Sequence, residues 1–225
     1  TPDVWTNLLT YSEQFDNGAW SKNGSTVTAN STTAPDGATT ADTLTYASAG
    51  SRVNRYITVG SGSAVTFSVY LKDSSGNGTR LLVYNGTAGG VVFSTTIASI
   101  SSGEPVGSGW YRHEIKATST DGVGFSSGNQ LAYYIYSDSS AGAIPASELY
   151  LWGAQLEAAS TAGPYTPTVA DARARFDGYT FSRASSQTYE KSDGTLGTVT
   201  SGNPAFQYSG GTAQGVLLEG ARTNL

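Results

Sequence analysis

From Asp42 to Leu156 the chain repeats one pattern: a short run with β-branched or aromatic residues at every second position, then a cluster of Gly, Ser, Asn or Asp. Side chains two apart in an extended chain share a face, so each run reads as a strand with one side turned to a core. The runs are 42–46, 52–59, 64–72, 80–84, 91–97, 110–118, 130–136 and 148–156. About eight such strands is the number of a jelly roll, so the expected fold is an all-β, antiparallel jelly-roll β-sandwich. No stretch sustains apolar residues at helical spacing behind a capping residue; 169–175 is expected to form no more than a short helical turn.

The punctuation has local causes. Ala34-Pro35-Asp36-Gly37 is a turn because Pro presets φ and Gly permits positive φ. Asn85-Gly86 is a hairpin signal, and 73–78 and 60–63 read as surface loops. A run from Asn7 to Trp20 and a last run from Leu149 to Glu157 are expected to lie side by side and close the sandwich. Gly163-Pro164-Tyr165-Thr166-Pro167 places two prolines after the last run and reads as an exit. The expected organisation is therefore a sandwich over 1–167 and a small β-rich connector over 168–225. The connector is interrupted by Gly202-Asn203-Pro204 and Ser209-Gly210-Gly211, too thin to bury a core without another surface.

Composition removes several functions. The chain has no Cys, so disulfides, thiolate nucleophiles and cysteine-ligated zinc are excluded. A net charge of −5 with scattered Lys and Arg gives no phosphate-neutralising patch, so no nucleic-acid partner is expected. No apolar run approaches the roughly 20 residues of a membrane helix, and membrane insertion is not expected. Methionine is absent as well, and the expectation is a piece of a longer protein.

The residues offer little to catalysis. His113 is the one histidine, set within the run 110–118, where a structural role is expected. Neither a P-loop nor a zinc-binding His-Glu-x-x-His motif is present, and the acids fall mainly in loops and at strand ends, where solvation explains them. The expectation is a protein that is not an enzyme. Binding is better supplied, because flat aromatic faces suit the apolar side of a pyranose while guanidinium and amide groups reach hydroxyls. Alternation puts Arg52, Asn54 and Tyr56 on one face of their strand, Arg80 and Tyr84 on one face of another, and Tyr134 and Tyr136 on one face of a third. If those faces share one sheet, the seven form a polar-aromatic groove for carbohydrate. Trp20, Trp110 and Trp152 are expected in the core.

Asn7-Leu8-Leu9 through Phe15 to Trp20, Pro35-Asp36-Gly37, Gly109-Trp110-Tyr111-Arg112, Trp152-Gly153-Ala154-Gln155-Leu156-Glu157 and Tyr165-Thr166-Pro167 occur in an order that resembles phage tail and head fibre modules. The same order is similar to jelly-roll carbohydrate-binding modules. Phe181 through Leu225 also resembles fibre sequence, and Thr223-Asn224-Leu225 repeats Thr6-Asn7-Leu8, which suggests modules in tandem. The resemblance implies a fibre module on the virion surface, extracellular, that recognises a host cell-surface polysaccharide. It further implies contacts with other virion fibre or capsid subunits and a homo-oligomer, with a trimer expected. Two alternatives stay open: a structural spacer or decoration knob without ligand, and an accessory module of a polysaccharide-degrading enzyme. No cofactor is required. The resemblance allows a structural calcium, with Glu13, Asp16 and Glu157 as the acids to hold it, although Gln155 stands where such modules often have an acid.

Overall fold

The structure is a computed structural model that describes residues 4–60, 64–73, 79–97, 99–137, 147–169, 173–176, 187–191, 194–199, 206–209 and 212–216. The chain divides into two compact units, Asp3–Asp177 and Gly178–Leu225 with Thr1–Pro2. The first is an antiparallel jelly-roll sandwich.

Its strands are β1 (Val4–Asn7), β2 (Ser21–Asn23), β3 (Ser25–Thr32), β4 (Ala41–Tyr46), β5 (Arg52–Thr58), β6 (Ala64–Asp73), β7 (Thr79–Asn85), β8 (Gly90–Ile97), β9 (Glu104–Gly107), β10 (Trp110–Thr118), β11 (Gln130–Ser137), β12 (Ser147–Glu157) and β13 (Arg173–Phe176). One sheet has the order β3-β4-β12-β6-β10-β9 and the other β2-β5-β11-β7-β8. From β4 to β7 the chain changes sheet at every step, so each sheet is assembled from strands distant in sequence.

The inward positions of both sheets form one core: Leu44, Val65, Phe67, Val69, Leu71, Ile115, Leu149, Leu151 and Leu156 meet Val53, Leu81, Val83, Leu131, Tyr133 and Ile135. Burying each such side chain contributes about 1.5–3 kcal/mol, which holds the two layers together. In β12 the inward positions change parity, from Leu149 and Leu151 to Ala154 and Leu156. A bulge between Trp152 and Gln155 causes the switch, with Gly153 at φ +62°. A Cβ at Gly153 would lie 2.8 Å from Tyr70 and 3.2 Å from Tyr165, so only glycine fits both the conformation and the space.

The outward face of the six-stranded sheet is covered. Tyr70, Trp110 and Trp152 form a second cluster there with Ala34, Ala41, Tyr150 and Tyr165. Outward Thr66, Ser68, Gln155 and Glu157 are buried as well. Trp20, Trp110 and Trp152 are core, as expected, and the indole N–H of each donates to a partner: Trp20 to the Tyr11 carbonyl (2.9 Å), Trp110 to the Thr33 carbonyl (3.0 Å), Trp152 to Thr40 Oγ1 (3.1 Å).

The structure differs from the sequence expectation, or adds to it, at several places. Residues 8–20 form turns rather than a strand, with Tyr11 at φ +55°. They do lie against the last run, as expected: the Leu8 amide donates to the Leu156 carbonyl at 2.8 Å and the Ala154 amide to the Ser12 carbonyl at 2.9 Å, while Asn7 Nδ2 donates to the Ala154 and Thr166 carbonyls at 3.0 and 2.9 Å and its Oδ1 accepts from the amides of Leu9 and Leu156 at 3.1 Å each. The ladder partner of β1 is β13, so residues 173–175 of the expected helical turn are extended, 170–172 lie outside the described residues, and the first compact unit reaches Asp177. Finally, β2, β3 and β9 add edge strands to the two sheets. They carry no legible alternation: β9 is exposed throughout and contains Pro105, and β3 is mostly Ser, Thr and Asn.

The second unit contains two hairpins. β14 (Gln187–Glu190) pairs with β15 (Leu196–Val199), and β16 (Phe206–Ser209) pairs with β17 (Thr212–Val216). Leu196 is 72% exposed. The loops expected at 61–63 and 74–78, and the interruption at 202–204, lie outside the described residues.

Candidate carbohydrate-binding face

β11 lies between β5 and β7, and the pairing register brings the candidate residues together. Tyr136 sits opposite Arg52 on one side and Arg80 on the other, Tyr134 opposite Asn54 and Leu82, and Ala132 opposite Tyr56 and Tyr84. All seven residues singled out from alternation therefore share the outward face of the five-stranded sheet. Val53, Leu81, Val83, Tyr133 and Ile135, at the intervening positions, are buried in the core and fix which way the rest must face.

Contacts organise this face around Tyr134. Its ring stacks with Tyr84 (centroids 6.0 Å apart, planes 14° from parallel), and its hydroxyl shares a 3.3 Å hydrogen bond with that of Tyr56. The Arg52 guanidinium lies 5.4 Å from the Tyr134 ring centroid, within cation–π range. Burial pushes the Tyr134 phenol up and the Tyr56 hydrogen bond adds to this, while Arg52 pulls it down. The net direction keeps that hydroxyl neutral, able to donate or accept. Tyr56 is 45% exposed, and Arg52, Arg80, Tyr84, Tyr134 and Tyr136 are half-buried with edges open to solvent. Leu82 and Ala132 form an apolar floor between the rings.

Asn54 behaves differently from the other six. It is buried, and its Oδ1 accepts from Asn23 Nδ2 at 3.3 Å, so it braces the face from beneath. Sequence reasoning missed Asn23 because β2 spans three residues and shows no period; on β8, Ser94 and Thr96 extend the face opposite Leu82 and Arg80.

A separate cleft of about 310 Å³ opens at the sandwich edge among Thr95, Thr96, Glu104, Arg112, His113 and Glu114. His113 has the structural role expected of it: Nε2–H donates to the Ile100 carbonyl at 2.8 Å, which fixes the tautomer, and burial pulls its pKa down. Arg112 donates to Ser68 Oγ at 2.9 Å and lies over the Tyr70 ring.

The calcium ligands suggested by resemblance do not form one set. Glu13 accepts from the Tyr165 hydroxyl at 3.0 Å, and Glu157 Oε2 accepts from the Gly163 amide at 2.8 Å. Gln155 is committed to the 163–166 segment, accepting from the Thr166 amide and donating to the Gly163 and Pro164 carbonyls. Among the described residues, no three of His, Cys, Asp and Glu gather as a metal site. Where Asp16 lies, Lys22 Nζ donates to the carbonyls of Phe15 (3.3 Å), Asp16 (2.8 Å) and Asn17 (3.0 Å), so a side-chain ammonium already fills that carbonyl turn.

No protein-family model and no curated protein matches the chain. Similar solved structures include a carbohydrate binding module from Cellvibrio mixtus lichenase 5A in complex with cellotriose, 12% identical, covering 67% of this chain and 97% of that one at a TM-score of 0.42. A xylan-binding domain from Paenibacillus barcinonensis is 16% identical, covering 70% and 95% at 0.42. The enzymatically active domain of a bacteriophage CBA120 tailspike protein is 16% identical at a TM-score of 0.41; the match covers 67% of this chain and 21% of the tailspike chain.

Proposed function

We propose that the sandwich is a non-enzymatic glycan-binding module and that sugar binds on the outward face of the five-stranded sheet. The observation that carries this reading is the contiguous array Arg52, Tyr134, Tyr84 and Tyr56, open on one side of a sandwich whose other outward face is covered. The open ring edges of Tyr84 and Tyr134 and the exposed Tyr56 ring offer apolar surface to a pyranose, and the guanidinium and hydroxyls offer donors and acceptors for its edge. A single shallow face of this kind binds weakly. Display in a homo-oligomeric phage fibre, with a trimer expected, multiplies it through effective concentration, which fits attachment to a host surface polysaccharide from the virion exterior.

Calorimetry against a panel of neutral and acidic polysaccharides tests the reading. Binding to at least one polymer is expected, with Tyr134→Ala and Tyr84→Ala weakening it more than tenfold and Lys116→Ala, on the other sheet, leaving it unchanged. Absence of binding across the panel would sink it. The rival reading, a ligand-free spacer, draws on exposed apolar side chains of the edge strand β8: Val91 (44%), opposite Tyr84 on the same face, and Phe93 (42%), opposite Val83. It is favoured if Tyr56, Tyr84 and Tyr134 become protected from solvent in the assembled oligomer.

A further inference from the structure

We propose that the ligand of this face is an acidic polysaccharide and that Arg52 binds a sugar carboxylate beside the Tyr134 ring. The inference rests on the glycan-binding reading and adds the ligand's charge class to it.

The first observation is the charge of the face. Its outward positions on the five strands are those in register with Arg52, Asn54, Tyr56, Arg80 and Tyr84. Among these described positions are two arginines and no carboxylate, in a chain with 17 acidic and 12 basic residues. Arg52 and Arg80 flank Tyr136 across one intervening strand, which separates their backbones by about 10 Å. An acidic protein that keeps acids off one face offers an anion a local attraction that its surroundings do not. The net charge of −5 also works against indiscriminate capture of polyanions, so retention of one requires specific contact.

The second observation is that the protein engages little of the Arg52 guanidinium, so its Nη side is the one a ligand can bond. Its Nε is buried without a hydrogen-bond partner, and its Nη1 reaches the Gly50 carbonyl only at 3.5 Å. A guanidinium carries five N–H donors in a planar fork, and the fork matches a carboxylate through two parallel hydrogen bonds. A carboxylate takes two such bonds at once and adds charge–charge attraction, neither of which a single neutral hydroxyl offers, so an anion gains more here than a neutral sugar does. Stacking on Tyr134 already holds the guanidinium in place.

The experiment compares polygalacturonate with the same polymer after its carboxyl groups are reduced to alcohols, with dextran sulfate as a third arm, all by calorimetry on the whole chain. The expected result is at least tenfold tighter binding of polygalacturonate than of its reduced form, with Arg52→Gln abolishing the difference and Arg52→Lys restoring it in part. Thermal melts of both variants, expected to match the unsubstituted protein, confirm folding. Equal binding of native and reduced polymer overturns the acidic-ligand inference and leaves the glycan face standing. Dextran sulfate binding as tightly as polygalacturonate, insensitive to Arg52→Gln, also overturns it. If neither these polymers nor the neutral panel binds, both this inference and the proposed function fall.

Discussion

The Lys22 ammonium holds three consecutive carbonyls of the 15–17 turn, and Asp42 holds the same turn from the other polarity: its Oδ2 accepts from the Phe15 amide and its Oδ1 from the Asn30 amide, both at 2.9 Å. Hydrogen bonds to charged groups contribute about 1.5–3 kcal/mol, less where water competes, so Lys22→Met is expected to lower stability by about 1–2 kcal/mol in urea unfolding. Burial pushes the Asp42 carboxyl up to about 6, against the pull of the two amides. The folded state then binds this proton more tightly than the unfolded chain does. Its contribution to stability is therefore full below about pH 4, falls as pH rises toward 6 and stays low above that. Melting curves between pH 4 and 7 are expected to show this decline in the native protein and a flatter response in Asp42→Asn. His113, whose pKa is lowered, contributes in the opposite direction, losing stability as pH falls below its ordinary range near 6.5.

At the scale of elements, β12 shows how a single residue sets the register of a sheet. Gly153 shifts the inward set by one position, so Leu149 and Leu151 before it, and Ala154 and Leu156 after it, all reach the core. Gly153→Ala places a Cβ against Tyr70 in a backbone conformation that costs an L-residue roughly 1–2 kcal/mol. With overpacking added, a loss of at least about 2 kcal/mol is expected, readable by denaturant melts. β10 illustrates what was legible beforehand: the run 110–118 is the strand Trp110–Thr118, because its alternate residues face a core on one side. β3 and β9 were not legible, since an edge strand is held by backbone hydrogen bonds that any residue but proline can donate. Asn54 shows a different limit. Alternation gave its face correctly, but its burial depends on Asn23 from β2, which no local pattern announces.

For the whole molecule, closure depends on residues beyond the expected exit. Thr168 Oγ1 donates to the Leu9 carbonyl at 2.7 Å and its amide to Ser12 Oγ at 2.8 Å, the Tyr11 amide donates to the Val169 carbonyl at 2.7 Å, and β13 supplies the ladder partner of β1. A chain ending at Pro167 is expected to melt well below one ending at Asp177, because the first segment then loses those partners.

Alternation and turn residues alone determined the eight central strands, the antiparallel sandwich and the set of side chains sharing one side of each strand, since period two follows from extended backbone geometry and needs no neighbour. Tertiary structure decided which strands became neighbours and so whether Arg52, Tyr84 and Tyr134 would meet. It also decided which sheet face stayed open, because pairing across long loops and the coverage by residues 33–40 and 158–169 depend on contacts distant in sequence.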